Sequence, residues 1–377
     1  MSLNKPILMV DLYGQYLKIK EEIDHSIQEV IESSAFINGE PVKAFARELA
    51  EYSGSKHVIT CANGTDAFQI SYMALDLKSG DEILMPAFNY VAGAEAAALL
   101  GLKPVFVDVC EDSFNINENL LEAKINKNTK AIVAVHLFGQ AANMKPITEI
   151  ADKYGLAVIE DNAQSMGCDY IFPSDIQKKT GTIGLMAVNS FFPTKNLGCF
   201  GDGGAIFTSD QSLAQRAEMI SKHGQGQKYT YDLIGCNSRL DTVQAAILRV
   251  KLRYLKDYIG KRIEAGQYYD ELLEHIPGII KPCRKEYSNH VHNQYVIRVK
   301  NRNKVREQLK ESGIPTMVYY PFPLHLQKAY EYLGYQKGDF PISEMLCDEA
   351  LALPIHTEIT NEQQEYIIHT LAKTINS

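Results

Sequence analysis

The sequence has no excess of positive charge. Its 377 residues include 38 lysines and arginines against 46 aspartates and glutamates, for a formal net charge of -8 at pH 7. Proteins that bind nucleic acid or lie on anionic lipid usually carry a broad basic surface. The composition therefore predicts no nucleic-acid partner, and leaves room for a local basic pocket around a phosphorylated ligand.

The sequence also lacks paired cysteines and long hydrophobic runs. Its seven cysteines form no CxxC pair, which argues against a disulfide framework and a zinc site. No apolar run approaches the roughly 18 residues that span a bilayer. The N-terminal MSLNKPILMVDL has no charged segment followed by a long apolar one, so we expect no secretory signal here. We therefore expect a cytoplasmic protein with reduced thiols and no membrane partner.

Several catalytic and nucleotide-binding motifs are missing. His290 and His292 form an HxH pair, but no third ligand stands at a suitable spacing and there is no HExxH motif. The chain has no G-x-S-x-G elbow, no Walker A lysine loop and no GxGxxG fingerprint. The sequence thus predicts no metal site, no serine hydrolase and no P-loop or Rossmann protein.

What is present is the composition of a globular protein, with 45% hydrophobic and 22% charged residues. Alternating strands and helices predict an α/β fold with a mostly parallel seven-stranded sheet covered by helices. Ligands of such sheets bind at the carboxyl ends of the strands. The predicted strands are 57–62, 81–86, 103–109, 131–136, 157–162, 187–192 and 204–209, and helices are predicted at 65–77, 144–154 and 212–223.

The pattern changes after Arg239. A long helical stretch follows, in which Gly260 and Gly266 weaken the helix and one of them could mark a bend. Since a single core rarely grows beyond about 250–300 residues, we expect a large domain at 1–250 and a smaller α+β domain at 251–377. The elements predicted there are strands at 293–300 and 316–321, a helix at 303–312 and a final helix after Thr360.

Two charged residues stand at the ends of predicted strands. Lys195 follows a strand and Pro193, an arrangement typical of a Schiff-base lysine, which needs partial desolvation to act as a nucleophile. Asp161 ends an otherwise apolar strand, where an acid is costly unless it is paired. Each residue has a more ordinary interpretation. Lys195 could be a solvated surface lysine, and Asp161 could cap the N-terminus of the helix that follows.

Two further elements lie at strand ends. The strand–turn–helix at 61–68 offers the backbone N–H groups of Gly64, Thr65 and Asp66 as a phosphate cradle. Tyr90 could stack on a planar cofactor, although aromatic residues after strands more commonly pack in the core. Each signal is weak alone. A phosphate cradle, a stacking ring, a buried acid and a lysine in this chain order together indicate a pyridoxal phosphate (PLP) pocket.

The chain resembles the DegT/DnrJ/EryC1/StrS family of PLP-dependent nucleotide-sugar aminotransferases, which are fold-type I PLP enzymes. The most specific pieces are SFFPTKNLG with GDGGA, and GCNSR with the alanine pair that follows. The resemblance runs nearly end to end. Its other motifs are FINGEPVKAF, NGTDAF, VHLFGQAANM, IEDNAQ, HGQGQKY, YYPFPLHLQKAY, GDFPISE and LALPIH.

The resemblance implies roles for the cofactor residues. Lys195 matches the lysine that holds PLP covalently, Asp161 the acid that pairs with the pyridine nitrogen, and Gln164 the residue that hydrogen-bonds the ring hydroxyl. The remaining matches are to phosphate ligands and a stacking ring: Gly64, Thr65, Ser190 and Tyr90.

The resemblance also implies a homodimer with shared active sites. Asn237 matches an asparagine that reaches the cofactor phosphate of the neighbouring subunit, and Arg239 would face the neighbour's substrate. His325 is a candidate sugar contact, with a structural hydrogen bond as the alternative. Two departures stand out: Asn89 replaces a common threonine, and 168–181 is longer than the corresponding loop and could border the sugar site.

The implied reaction moves an amino group from L-glutamate to a nucleotide-linked ketosugar, for surface polysaccharide biosynthesis. PTKNLG and PLHLQ resemble members that aminate carbon 3, so a UDP-linked 2-acetamido-3-keto glucuronate is the first expectation and a dTDP-3-keto-6-deoxyhexose the second. The alternatives are a PLP-dependent sugar dehydratase, in which histidine replaces the lysine, a non-catalytic PLP-binding regulator, and a nucleotide-binding module unrelated to PLP.

Overall fold

The order of helices and strands follows from a computed structural model that describes residues 6–173 and 175–375. The helices are α1 (Leu12–Lys18), α2 (Lys20–Ser33), α3 (Glu40–Ser53), α4 (Gly64–Ala74), α5 (Ala92–Leu99), α6 (Met144–Tyr154), α7 (Gln211–Ser221), α8 (Thr242–Leu272), α9 (Arg302–Glu311), α10 (Pro341–Glu349) and α11 (Asn361–Ile375). The strands are β1 (His57–Cys61), β2 (Glu82–Pro86), β3 (Lys103–Val107), β4 (Thr129–Val135), β5 (Ala157–Asp161), β6 (Asp169–Ile171), β7 (Gln177–Lys179), β8 (Met186–Ser190), β9 (Gly204–Thr208), β10 (Gln225–Gln227), β11 (Thr230–Tyr231), β12 (Ile279–Ile280), β13 (Tyr295–Val299) and β14 (Ala350–Leu353).

Seven strands form the central sheet, in the order β1-β9-β8-β5-β4-β2-β3. β9 runs antiparallel to β1 and β8, and the other neighbouring pairs are parallel. β2 and β9 are buried along their whole length, as expected for strands covered on both faces. The prediction of a mostly parallel seven-stranded sheet is confirmed, and each predicted strand lies within two residues of the observed one.

The alternation of side chains divides the core into two layers. Ile83 and Met85 of β2 point into a layer that includes residues of α4, α5 and α7. Leu84, between them, points into the opposite layer with residues of α3, α6 and α8. Helices therefore cover both faces, and the carboxyl ends of the parallel strands meet at one edge of the sheet.

The C-terminal part has its own antiparallel sheet, β12-β13-β14. Tyr295 of β13 and Leu353 of β14 pack in a separate apolar cluster with residues of α8, α9 and α11. The predicted strand at 316–321 is wrong: Met317 makes an isolated bridge to Ala352, and β14 supplies the strand next to β13. The division of the chain at residue 250 stays a prediction, because α8 runs through it as a continuous helix.

All seven cysteines carry free thiols. Burial raises the pKa of each of them, to about 12 for Cys168 and Cys347 and to about 11 for Cys110, Cys199 and Cys236. Within residues 6–173 and 175–375, no helix is long and apolar enough to cross a membrane.

Candidate active site

Asp161 and Lys195 lie at the carboxyl ends of adjacent parallel strands. Asp161 is the last residue of β5 and is paired with Val188 of β8. Ser190 ends β8, and Lys195 follows it after a turn. Because β5 and β8 run in the same direction, both side chains lie at the edge of the sheet where ligands of parallel sheets bind.

The Asp161 carboxyl is buried, with 8% of the residue exposed. Burial raises its pKa, and the N–H of Ala163, the charges of Lys195 and His136, and a hydrogen bond from the Asn89 side chain lower it in part. The Ala163 N–H lies 3.1 Å from Oδ1. A carboxylate held in this way is stabilised further by a cation, and a protonated ring nitrogen is such a partner.

Lys195 stands in a tight turn after β8. Its N–H donates to the carbonyl of Phe192 at 2.9 Å. A Cβ at Gly198 would lie 2.4 Å from the carbonyl oxygen of Pro193, so the turn closes only with glycine there. Burial lowers the pKa of Lys195, and the Asp161 carboxylate opposes this shift. A larger neutral fraction makes the amine a better nucleophile and base.

His136, just after β4, is a second neighbour of Asp161. The N–H of Ala142 donates to its Nδ1 at 3.0 Å, so the proton of a neutral ring is on Nε2, 2.9 Å from Glu160 Oε2. The ring is thereby fixed at both nitrogens beside Asp161, with no exposed surface. His136 was not among the residues predicted for the site.

Glu160 connects this region to the long loop that follows. Its buried carboxylate accepts hydrogen bonds from the N–H groups of Gly181, Ile183 and Gly184, at 2.6–2.8 Å. The segment 168–181 contains the β6–β7 hairpin. Glu160 therefore anchors the returning end of this segment. Whether the segment borders a sugar site stays a prediction.

The first turn of α4 forms the candidate phosphate cradle. The Asn63 side chain caps the helix by accepting from the N–H of Asp66 at 2.8 Å. The N–H groups of Gly64 and Thr65 belong to the same turn and have no acceptor within the helix. A Cβ at Gly64 would lie 3.0 Å from Cβ of Ser190. The cradle thus sits directly beside the end of β8, where a phosphate could meet both the helix N-terminus and the Ser190 hydroxyl.

Tyr90 and Gln164 flank the space between cradle and carboxylate. Tyr90 is 57% exposed, which leaves a ring face free for a planar ligand. Gln164 Oε1 accepts from the N–H of Phe138 at 2.7 Å, and Nε2 lies 3.1 Å from the hydroxyl of Tyr320. The second Nε2 hydrogen can still reach a ligand oxygen. The Tyr320 ring lies 6.2 Å from that of Tyr90.

Tyr320 and Asn89 contact this site without having been predicted as site residues. Tyr320 belongs to the segment 316–321, whose pattern wrongly predicts a strand of the small domain. The sequence distinguishes Asn89 only as a replacement for threonine. The available signal for Asn89 was its place between the end of β2 and Tyr90, where a polar side chain can reach the neighbouring carboxylate.

Asn237 and Arg239 precede α8. Asn237 is exposed and forms an antiparallel bridge with Lys222. Arg239 lines a cavity of about 260 Å³ together with Asn38, Lys43 and Lys222, and the lining residues do not include Lys195 or Asp161. Within one subunit these two residues therefore belong to the surface beside β1.

His325 lies in the interior, 2% exposed. Its Nε2 is 3.1 Å from Glu344 Oε1, and its ring packs edge-on against Phe340 at 4.7 Å. This packing favours the alternative of a structural hydrogen bond over a sugar contact. His325 lies in a short 3-10 helix, Leu324–Leu326, and not after the end of a strand.

The fold and the strand-end groups define a PLP-dependent aminotransferase. A family model described as the DegT/DnrJ/EryC1/StrS aminotransferase family matches residues 17–372, and the chain belongs to this family.

A pleiotropic regulatory protein of Geobacillus stearothermophilus is 44% identical over 367 residues, 97% of each chain. A UDP-2-acetamido-2-deoxy-3-oxo-D-glucuronate aminotransferase of Pseudomonas aeruginosa is 43% identical, over 93% of this chain and 95% of that protein. The crystal structure of S. venezuelae DesV in complex with a ketimine intermediate superimposes with a TM-score of 0.95 at 34% identity, covering 99% of this chain and 100% of that one.

The residues present fit PLP. The buried carboxylate of Asp161 suits a protonated ring nitrogen, and the first turn of α4 suits a phosphate dianion. Gly64 has no side chain, so the space for the phosphate beside its N–H stays open. The half-buried amine of Lys195 is the nucleophile that an aldehyde needs.

Proposed function

We propose that this protein transfers an amino group from L-glutamate to carbon 3 of a nucleotide-linked ketosugar. The observation that carries the proposal is the placement of Lys195 and the buried Asp161 at adjacent strand ends. The name of the Pseudomonas relative supports a UDP-linked 2-acetamido-3-keto sugar as the acceptor. We further propose that the product is a precursor of surface polysaccharide and that the enzyme is cytoplasmic, with which its free thiols agree.

PLP supplies an electrophilic aldehyde carbon and a ring that stores the electron pair of the donor's α-carbon. With PLP bound, the Lys195 amine would hold the cofactor through that aldehyde carbon, and the released Nζ would take the proton from the donor's α-carbon and pass it to the cofactor. In the second half of the reaction, the same Nζ would take a proton from the cofactor and deliver it to carbon 3 of the acceptor sugar. Partial burial favours the neutral amine that this role requires.

The other residues orient and hold charge. The Asp161 carboxylate keeps a proton on the ring nitrogen, and the Ala163 N–H and the Asn89 side chain hold that carboxylate in place. Gln164 is fixed by Phe138 and Tyr320 and directs its remaining amide hydrogen to the ring hydroxyl. We assign the phosphate to Gly64, Thr65 and Ser190, and the ring face to Tyr90.

We also propose a homodimer in which Asn237 and Arg239 serve the partner's site. Lys43 and Lys222 stand with Arg239 around the same cavity, although Lys222 is paired with Glu218. This concentration of cations suits a diphosphate. The neighbouring β10–β11 segment leaves large apolar side chains uncovered, which supports association with a second copy. These side chains are Tyr229, Tyr231 and Ile234, which are 77%, 60% and 87% exposed.

The decisive experiment is a spectroscopic titration. We expect the purified protein loaded with PLP to show a visible absorption band that L-glutamate removes and that a 3-keto nucleotide sugar restores. Lys195→Ala should bind PLP noncovalently, lack the visible band of the covalent form and show no turnover. Near-wild-type transamination by Lys195→Ala would contradict the assignment of this lysine.

A regulatory function is the second candidate, because the relative from Geobacillus is named as a pleiotropic regulatory protein. A non-catalytic PLP-binding regulator would bind the cofactor but leave its visible band unchanged in L-glutamate. A sugar dehydratase is disfavoured, since Lys195 occupies the position at which such enzymes are expected to carry histidine. The glutamate titration separates the aminotransferase from the regulator.

A further inference from the structure

Lys251 is a buried cation on α8 that the reaction described above does not use. The residue is 3% exposed, and its Nζ donates to the carbonyl oxygen of Gly198 at 2.5 Å. Burial lowers the pKa of Lys251 to about 8, and the ionisable neighbours that also act on it are the Cys199 thiol and Arg262, neither of which is a carboxylate. Burying an ammonium that donates to a main-chain carbonyl and not to a carboxylate is costly, and an apolar side chain would avoid that cost.

The carbonyl that Lys251 holds belongs to the turn that carries Lys195. Gly198 closes this turn against Pro193, since even a Cβ there would lie 2.4 Å from the Pro193 oxygen. The next residue, Cys199, returns to the sheet through its N–H, which donates to Phe191 at 2.8 Å. A shift of the Gly198 carbonyl would therefore move the whole turn, including Lys195.

A second side chain of α8 holds the same segment. Gln244 Oε1 accepts from the N–H of Phe200 at 2.8 Å, and its Nε2 donates to the Phe200 carbonyl at 3.3 Å. The Lys251 ammonium also lies 5.6 Å from the centre of the Phe200 ring. Gln244 and Lys251 are seven residues apart and so lie on one face of the helix. This face of α8 forms a clamp on Gly198–Phe200.

We propose that Lys251 is a positioning residue: its ammonium fixes the Gly198 carbonyl and thereby the turn that presents Lys195 to the cofactor. The inference rests on the proposed function for the role of Lys195. Lys251 touches neither substrate nor cofactor in this proposal, and it acts through the main chain.

The test compares Lys251→Met with Lys256→Met, a matched control on the exposed side of the same helix. Hydrogen–deuterium exchange of the full-length, PLP-loaded enzyme reports on the peptide covering 193–201. We expect its amides to exchange about tenfold faster in Lys251→Met, which is the effect of losing one hydrogen bond to a charged donor. The glutamate half-reaction should slow by about the same factor, with the half-saturating glutamate concentration unchanged. Lys256→Met should match the wild type in both measurements.

Unchanged exchange at 193–201 in Lys251→Met, or faster exchange throughout the chain, would overturn the positioning role. If Lys251→Met does not fold, Gln244→Ala tests the same clamp, and unaltered exchange at 193–201 in that variant would overturn the proposal as well. Failure of the proposed function has a different signature. In that case the visible absorption band of the PLP-loaded wild type does not respond to glutamate. The difference in hydrogen–deuterium exchange at 193–201 between Lys251→Met and the wild type still decides whether Lys251 positions the turn.

Discussion

The Asp161 carboxylate lies where solvation is poor and cations are close. Burial raises its pKa, while the Ala163 N–H, Lys195, His136 and Asn89 favour the anion. These opposing effects leave a carboxylate whose charge is best stabilised by a bound cation. In the proposed mechanism that cation is the protonated ring nitrogen, and the anion in turn keeps the nitrogen protonated.

Replacement of Asp161 by asparagine tests this electrostatic role. We expect Asp161→Asn to fold and bind PLP, but to react with glutamate about 100-fold more slowly or worse, the usual cost of removing a charge-stabilising group from an active site. An amide has nearly the shape of the carboxylate and lacks its charge. Single-turnover absorbance changes after mixing with glutamate provide the measurement.

Gln164→Ala is the matched control at the same site. It removes one orienting hydrogen bond, so its half-reaction should slow by no more than about tenfold. Equal and mild losses in both variants would contradict the role assigned to Asp161.

Among the elements, α8 shows how local context decides the effect of a glycine. A Cβ at Gly260 would meet nothing within 4 Å, whereas a Cβ at Gly266 would lie 2.5 Å from Cδ2 of His292. The His292 ring cannot easily move, because it is fully buried and stacks on His290 at 3.9 Å between ring centres. Gly266 is therefore a position at which α8 closely approaches the segment that carries His292.

The two glycines make a matched pair for a stability measurement. Gly260→Ala should stabilise the protein by about 0.5–1 kcal/mol, the difference in helix propensity between the two residues. Gly266→Ala should destabilise it by about 1–3 kcal/mol, because overpacking at His292 outweighs the gain in propensity. Urea unfolding followed by circular dichroism measures both. Stabilisation by Gly266→Ala would show that the contact with His292 relaxes freely.

The sequence predicted the central elements well, for a physical reason. Strands buried on both faces appear as short apolar runs, and parallel strands bring Asp161, Lys195, Gly64 and Tyr90 to one edge of the sheet. The segment 316–321 has the same apolar pattern, but its Tyr320 packs against Phe88 and Tyr90 and the segment does not form a strand. The place of Tyr320 depends on this tertiary contact, and no local pattern reveals it.

On the scale of the whole molecule, the proposed active site is larger than one chain. The cofactor groups lie at the edge of the sheet, while Arg239 faces a separate cavity beside β1. A two-fold interface would bring each Arg239 to the partner's site, and every chain would then contribute to both sites.

Mixing two inactive variants tests this arrangement. Lys195→Ala and Arg239→Ala should each be inactive alone, and in a mixed dimer one of the two sites keeps both residues. Random exchange makes about half of the dimers mixed, so about a quarter of all sites should recover. Steady-state transamination, after exchange is verified by mass spectrometry of differently tagged chains, provides the measurement.

The alternative is that Arg239 serves its own helix or is solvated. Arg239→Ala would then be nearly fully active alone, and mixing would add nothing to its activity. Verified exchange between an inactive Arg239→Ala and Lys195→Ala with no regained activity would contradict the shared site.

The raised thiol pKa values make this protein a convenient target for fluorescent labelling. An exposed cysteine has a pKa of about 8.5 and reacts through its thiolate, and each unit by which burial raises the pKa lowers the thiolate fraction about tenfold. An engineered cysteine on the exposed side of α8, for example Lys256→Cys, should therefore react with a maleimide dye well before the seven native thiols do. Donor and acceptor dyes attached in separate batches would then report subunit exchange in real time by energy transfer, without removal of a single native cysteine.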